Sequence, residues 1–554
     1  MSRSAPGASG YSISIATWTS EIRVFCWLEN VMMKPGSLRM VLDGGQPVAD
    51  HRPWPRVIVT PEIWHTLSEG LAGGAWTLLG LWGEAGMVYL AVYEAPVNPP
   101  HPPFDKGGKR EALGGFFVAS LPCPDGRFPS VGRWHPPAQR LERAIADLVG
   151  LQPVDAPDSR PWLDHGRWPV THPLGLATTP AGAMPPYPFL LAEGESLHQI
   201  PVGPVHAGII EPGHFRFTAN GELVVRLEER LGYVHKGIEA LLAGATLERA
   251  VRLAGRISGD STVAYALAFA RAVEAATETG IPDRAHWLRA LMAELERLAN
   301  HLGDIGAICN DAAFALMLAH CAVLREQVLR ASAACFGHRL LMDCIVPGGV
   351  VADLSADGAK ALHALVAQIR RQFPPLVELY DNTASLQDRT GGTGFVRPEL
   401  IEQFGCGGPI GRAGGRAFDA RRQPGYPPYE QLEFETPVLT ESDVNARVWV
   451  RIREVEQSLA LIERILERLP PGPVREELQR PSQPCEGMAL VEGFRGDILV
   501  WLRLNSDGTV ARCHPRDPSW FQWPLLEAAI EGNIVADFPI CNKSFNGSYS
   551  GHDL

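Results

Sequence analysis

The sequence predicts an α+β fold in which an N-terminal α+β domain precedes a mainly α-helical bundle carrying small β-sheets. Three observations predict it. Short β-rich runs alternate with a helical segment before residue 165, two long stretches beyond residue 280 repeat apolar residues at three- and four-residue steps, and strand-like alternation returns after residue 485.

In chain order, "PRVIVT" (55–60) and "MVYLAVY" (87–93) are rich in β-branched and aromatic residues and read as strands. "PPAQRLERAIADLVGL" (136–151) reads as an amphipathic helix with proline at its start. These define a domain over 1–165. "WPVTHPLGLATTPAGAMPPYPF" concentrates proline, glycine and threonine, so 166–197 is expected to be an irregular linker. A second domain, 198–554, opens on "GHFRFTANGELVVRLEERLG", a hairpin with Asn220-Gly221 as its turn. In "DRAHWLRALMAELERLANHLGDIG", Leu288, Leu291, Met292, Leu295, Leu298 and Leu302 share one helix face, with Pro282 near the start. Val448, Ile452, Val455, Leu459, Ile462, Leu466 and Leu469 make a second long stripe over 444–469, stopped by Pro470-Pro471. "ILVWLRL" reads as a strand, and the chain ends on the polar "NKSFNGSYSGHDL".

At 554 residues, with 45% hydrophobic and 20% charged content, the chain can bury a large core. A net charge of -12 with no basic tract excludes nucleic-acid binding through phosphate neutralisation. "MSRSAPGASGYS" lacks a basic region followed by an apolar one, which predicts a cytoplasmic protein. Residues 168–192 are free of charge but hold six prolines, and "LAGGAWTLLGLWG" is too short to span a bilayer. The ten cysteines, from Cys26 to Cys541, include no C-x-x-C pair; residues such as Cys309, Cys321 and Cys335 read as small core hydrophobes.

Four polar clusters interrupt this packed pattern: "GPVHAGIIEPGHFRF", "GYVHKGIE", "GRISGDST" and the final eleven residues. Each alone admits a plain reading. His206 and His214 fit exposed loop histidines, and Glu239, Glu294 and Arg297 fit ordinary helix-face charges.

Together, in their order and with "PDRAHWLRALMAELERLANHLGDIG", "GGVVADL", "GPIGRAGGRAFDARR", "DVNARVWVRIREVEQSL" and "LPPGPV", they resemble one superfamily. It comprises the large subunit of membrane-bound nickel-iron hydrogenases of the formate hydrogenlyase and hydrogenase-4 type and the homologous quinone-site subunit of complex I. The resemblance runs from about Ile200 to the C-terminus. Upstream, "LERAIADLVGLQPVDAPDSRPWL", with Glu142, Asp147, Gly150, Asp158 and Arg160, is similar to the small complex I subunit that such proteins carry fused at their N-terminus.

In those hydrogenases R-x-C-G-x-C and a C-terminal D-P-C-x-x-C supply four thiolates to nickel and iron. Here Arg256 and Gly259 remain, but Ser258 and Ser261 stand at the first two cysteine positions; Asn546, Gly547, Ser548 and Gly551 occupy the tail motif. A thiol ionises near pH 8.5 whereas a serine hydroxyl stays protonated, and low-potential nickel-iron sites need soft anionic donors. Cys541 is out of register. The resemblance therefore implies no metal ligands and no cofactor held by this chain alone, with a quinone as the possible ligand of the emptied cavity.

What the resemblance implies for the site follows residue by residue. His206 matches a loop histidine that donates to a quinone carbonyl in the family, and His214 lies close to the other. The usual tyrosine's position falls on Gly259, and Tyr549 is the available phenol. Ser258, Asp260, Ser261, Asn546, Ser548 and Tyr549 are expected to converge if the tail folds back on the loop. Glu239, in an intact H-x-G-x-E after His235, is the expected proton-transfer carboxylate, with Arg256 and Arg412 near it. His206, Glu239, Arg256 and Asp260 are thus the expected catalytic set, and His214, Ser258, Ser261, Arg412, Asn546, Ser548 and Tyr549 the cofactor-contacting one. The implied partners are an iron-sulfur small subunit and antiporter-like membrane subunits, in a hetero-oligomeric complex on the inner face of the cytoplasmic membrane. Two other readings stay open: a non-catalytic scaffold whose serines and asparagine plug the old metal pocket, and an active nickel-iron hydrogenase.

Overall fold

The strands of the N- and C-terminal segments are apolar on both faces, so both faces need cover. In a computed structural model, which describes residues 37–95, 115–176, 178–208 and 210–554, they cover one another. A five-stranded sheet runs in the order Gln46–Val48, Arg56–Ile58, Gly115–Pro122, Met87–Glu94 and Thr77–Glu84. It is antiparallel except where Arg56–Ile58 meets Gly115–Pro122. A four-stranded sheet of Val510–Arg516, Asp497–Leu504, Cys485–Glu492 and His51–Arg52 packs against it. Leu79, Trp82, Tyr89 and Val118 of the first share one core with Met488, Leu490, Leu499 and Trp501 of the second. Trp82 stacks on Tyr89 at 5.3 Å and lies 5.6 Å from Trp501.

The Gln139–Val149 helix covers the outer side of Thr77–Glu84, and the Thr262–Ala276 helix covers the Cys485–Glu492 and Asp497–Leu504 strands. This second contact is so close that a Cβ on Gly487 would lie 1.9 Å from the Ala272 carbonyl oxygen. A three-stranded antiparallel sheet, Leu197–Val202, His214–Asn220 and Leu223–Arg230, begins the segment after the linker. The bundle consists of Asp283–Asp311, Ala315–Phe336, Ala356–Asn382 and Val444–Arg468. Asp443 caps the last of these by accepting the Ala446 N–H at 2.7 Å.

The apolar stripe expected from Leu288 to Leu302 is buried throughout, as are Val448, Ile452, Val455, Leu459 and Ile462; Leu466 and Leu469 are half-buried where the second helix runs out. The first helix continues past the expected residue 306 to Asp311. The hairpin turn falls one residue later than expected, because Asn220 pairs with Leu223 and leaves Gly221, at φ 59°, and Glu222 in the loop. The 136–151 segment is one 3-10 turn followed by the Gln139–Val149 helix, which Gly150 ends at φ 83°. The linker is irregular apart from one bridge between Val170 and Pro180. The described cysteines are free thiols; Cys309 and Cys321 are buried, whereas Cys335 is only half-buried on its helix. Cys26 lies outside the described residues. The polar tail is no exposed end: Phe538–Phe545 and Tyr549–Asp553 are helical and largely buried.

Candidate functional site

The tail is held in place by the side chain and carbonyls of its last two residues. Asp553 accepts the N–H groups of Gly232 and Val234 at 2.9 and 3.0 Å, and the Leu554 carbonyl accepts those of Lys236 and Gly237. His235 Nδ1 lies 2.7 Å from the Asp553 carbonyl oxygen and donates to it. These bonds bring the Tyr549–Asp553 helix beneath two loops, the one that carries His206 and the one that carries Ser258.

Ser548 caps that helix, its hydroxyl oxygen accepting the Gly551 N–H at 2.9 Å. The same hydroxyl is 2.9 Å from Ser258 Oγ, which in turn donates to Asp260 Oδ1 at 2.8 Å. Because Ser258 spends its proton on Asp260, Ser548 donates to Ser258, and the row of hydroxyls has a single direction ending on a carboxylate. Ser261 also donates to Asp260, at 3.3 Å. Arg495 grips both oxygens of Asp260 as a fork, at 2.7 and 2.5 Å, and reaches Ser261 Oγ at 3.1 Å and the Asn546 carbonyl at 2.5 Å. Burial works against the Asp260 carboxylate, but Arg495 outweighs it and holds the group well below the usual carboxylate range.

The second half of the site lies on the loop after Leu197–Val202. His206 Nδ1 donates to the Pro204 carbonyl at 3.1 Å, which leaves Nε2 to accept from the Tyr549 phenol 3.3 Å away. Tyr549 is 5% exposed, packed against Trp523 with ring centres 4.8 Å apart, and burial pushes its phenol well above the ordinary value. Its ring explains Gly213, where a Cβ would come within 2.5 Å of Tyr549 Cε1.

The fourth thiol position is closed. A Cβ on Gly551 would fall 2.4 Å from Asp517 Oδ2, the carboxylate that accepts the Tyr265 phenol. The nickel-iron centre that the sequence resemblance evokes therefore does not fit: its four donor positions hold three neutral hydroxyls and a glycine backed by a carboxylate. Among the described residues no group of three or more His, Cys, Asp or Glu side chains is placed to hold a metal ion.

Several expected residues lie elsewhere. Glu239 is buried, but its partners are Arg512 and His514, each at 2.6 Å, and not Arg256 or Arg412. Burial raises its carboxyl and those two partners more than reverse this, to about 2, so it is fixed as an ion. Arg256 points to solvent and pairs with Asp343 at 2.7 Å, because the helix before it ends at the surface. Arg412 is buried among Glu454, Glu492 and Asp419 at 2.7, 2.8 and 3.7 Å, away from the serines. His214 alternates with Phe215 along one strand. Phe215 faces His206 and Tyr549, so His214 faces Phe189 and the Gly203 carbonyl instead. Asn546 touches the site through its carbonyl; its amide donates to Asp304 at 2.9 Å.

Arg495 and Asp517 are the site residues the sequence left unmarked. Arg495 sits in "GFRGD", the tip of a hairpin, where an arginine ordinarily reads as solvated, and only its fork onto Asp260, far away in sequence, reveals it. Asp260 also lines a narrow cleft with Glu296, Asn300, Arg325, Ser332 and Arg339.

The family model of the respiratory-chain NADH dehydrogenase 49 Kd subunit matches residues 311–487. The chain is 31% identical over 436 residues to formate hydrogenlyase subunit 5 of Escherichia coli (strain K12), covering 77% of each chain. It is 30% identical over 355 residues to a carbon monoxide-induced hydrogenase of Rhodospirillum rubrum, 63% of this chain and 98% of that one. It is also 30% identical over 346 residues to the NADH-quinone oxidoreductase C/D subunit of Bacteroides thetaiotaomicron, 62% of this chain and 65% of that one. Among the described residues no helix is long and apolar enough to cross a membrane. The chain belongs to the family of the respiratory-chain NADH dehydrogenase 49 Kd subunit and its hydrogenase relatives.

Proposed function

We propose that this chain is a subunit of a membrane-associated, energy-converting redox complex and that its hydroxyl-lined cavity serves a quinone-class acceptor in place of nickel and iron. The observation that carries the reading is the His206–Tyr549 pair, 3.3 Å apart, beside the Ser548–Ser258 row. Reducing a quinone takes two electrons and two protons, and it needs hydrogen-bond donors at the carbonyl oxygens. The Tyr549 phenol supplies one donor by turning from His206, which holds it in place beside the serine row. With no C-x-x-C pair in the chain, the electrons come from an iron-sulfur partner, and antiporter-like membrane subunits take up the coupling to ion movement.

The test is competition binding of a quinone analogue to the purified complex. Tyr549→Phe removes the donor and His206→Ala the group that positions it, and each is expected to weaken binding about tenfold, the worth of about 1.4 kcal/mol. A second reading, a scaffold without chemistry, is favoured by the closed Ser548–Ser258–Asp260–Arg495 set, which satisfies its own hydrogen bonds. It wins if both variants assemble and bind the analogue as the wild type does.

A further inference from the structure

The cleft beside Asp260 has chemistry that the quinone reading leaves unused. It opens between the Asp283–Asp311 and Ala315–Phe336 helices and is narrow, with room for about one or two waters. One wall is Gly259, Asp260, Glu296 and Asn300; Arg325, Ser332 and Arg339 face them. Asp260 is bound by Arg495 on its inner side, yet its side chain stays 37% exposed. The serine row therefore ends on a carboxylate that meets water at this cleft, whose lining includes no residue of the His206 loop.

Glu296 is the buried titratable group on that wall. Its carboxylate accepts the Val263 and Ala264 N–H groups at 2.7 and 3.1 Å, at the start of the helix that follows Ser261. Asn300 ties the two acidic residues together, its Nδ2 donating to the Asp260 carbonyl at 2.8 Å and the Glu296 carbonyl at 2.9 Å. We propose that this cleft is a second, water-filled entrance through which protons reach the serine cavity, with Glu296 as the residue that exchanges them. The inference rests on the quinone-class reading and goes beyond it by assigning a route and a residue for proton supply.

The charges around Glu296 fit that task. Burial pushes its carboxyl up to about 8; its two backbone donors and Arg297 on its own helix lower it, and ionised Asp260 raises it. Arg325 and Arg339 face the cleft from the opposite helix and the loop after it. Glu296 is therefore protonated below about pH 8 and ionised above it, whereas Asp260 stays an ion throughout. Asp260 orients the hydroxyls, and Glu296 carries the proton. For each quinone reduced, two electrons arrive from the iron-sulfur partner and two protons are consumed. A proton leaving Glu296 through cleft water passes along the row after the Ser258 hydroxyl turns from Asp260 toward Ser548, and Glu296 is reprotonated from solvent, so the residue returns to its starting state.

The experiment uses the intact complex, reduced with a viologen and turning over a soluble short-chain quinone, with quinone-analogue affinity measured in parallel. Wild-type turnover is expected to fall above about pH 8. Glu296→Gln is expected to lower turnover at least tenfold, flatten that pH profile, and leave analogue affinity unchanged. Ser332→Phe, which fills the cleft without touching Glu296's partners, is expected to do the same. A small diffusible weak acid such as imidazolium is expected to restore turnover in Glu296→Gln, which a purely helix-capping role for Glu296 does not predict. Turnover and pH profile unchanged in assembled Ser332→Phe overturn the proposal, whether or not Glu296→Gln folds. Analogue binding that is absent from the wild type sinks the quinone reading and this proposal with it; binding and turnover intact in both variants sink this proposal alone.

Discussion

At the scale of single residues, serine hydroxyls set the chemistry of the site. Ser258, Ser261 and Ser548 each hold a hydroxyl proton that a metal-bound thiolate would lack, and that proton gives the row its direction toward Asp260. At Gly551 the space beside the backbone is taken by a carboxylate. Asp517 Oδ2 occupies the place of a side chain there, held by the Ser519 N–H at 2.8 Å through its other oxygen. Gly551→Ala is therefore expected to destabilise the protein by about 1–3 kcal/mol through overpacking, read as a lowered thermal midpoint. A midpoint equal to that of the wild type would show that Asp517 does not close the position. The serine substitutions were legible in the sequence because the flanking Arg256 and Gly259 mark the register. The counter-charge was not, because Arg495 is placed by a hairpin whose partner residues are more than two hundred positions away.

At the scale of elements, the long helices were legible and the tail was not. Leu288 to Leu302 and Val448 to Ile462 each repeat at helical spacing, and such a stripe has one way to be buried. Leu302 is fully buried between helices, so Leu302→Ala is expected to cost about 2–5 kcal/mol, measurable by denaturant unfolding; a loss under about 1 kcal/mol would mean the site collapses around the smaller side chain. "NKSFNGSYSGHDL" offers no such stripe. Its burial comes from Asp553, Ser548 and the Leu554 carbonyl meeting particular N–H groups, a pairing that composition does not encode. Glu239 is the converse case. Its motif was legible, but its ion pairs come from Arg512 and His514 on a strand near the end of the chain, and they remove the proton it was expected to carry.

At the scale of the whole molecule, the two sheets make the N- and C-terminal segments interdependent: His51–Arg52 adds to the strand Cys485–Glu492, and Trp82 and Trp501 share a core. The boundary expected near residue 165 follows composition, whereas the packing joins residues on either side of it. That packing also supports the site, because the Thr262–Ala276 helix that begins at Ser261 rests on Gly487 of the same sheet. The frame thus surrounds a cluster of hydroxyls, a phenol, an imidazole and one arginine-held carboxylate. The most direct measurement is elemental analysis of the intact complex alongside quantification of this polypeptide. Iron from the iron-sulfur partner and no stoichiometric nickel are expected; one nickel per copy of this chain would contradict a hydroxyl-lined site.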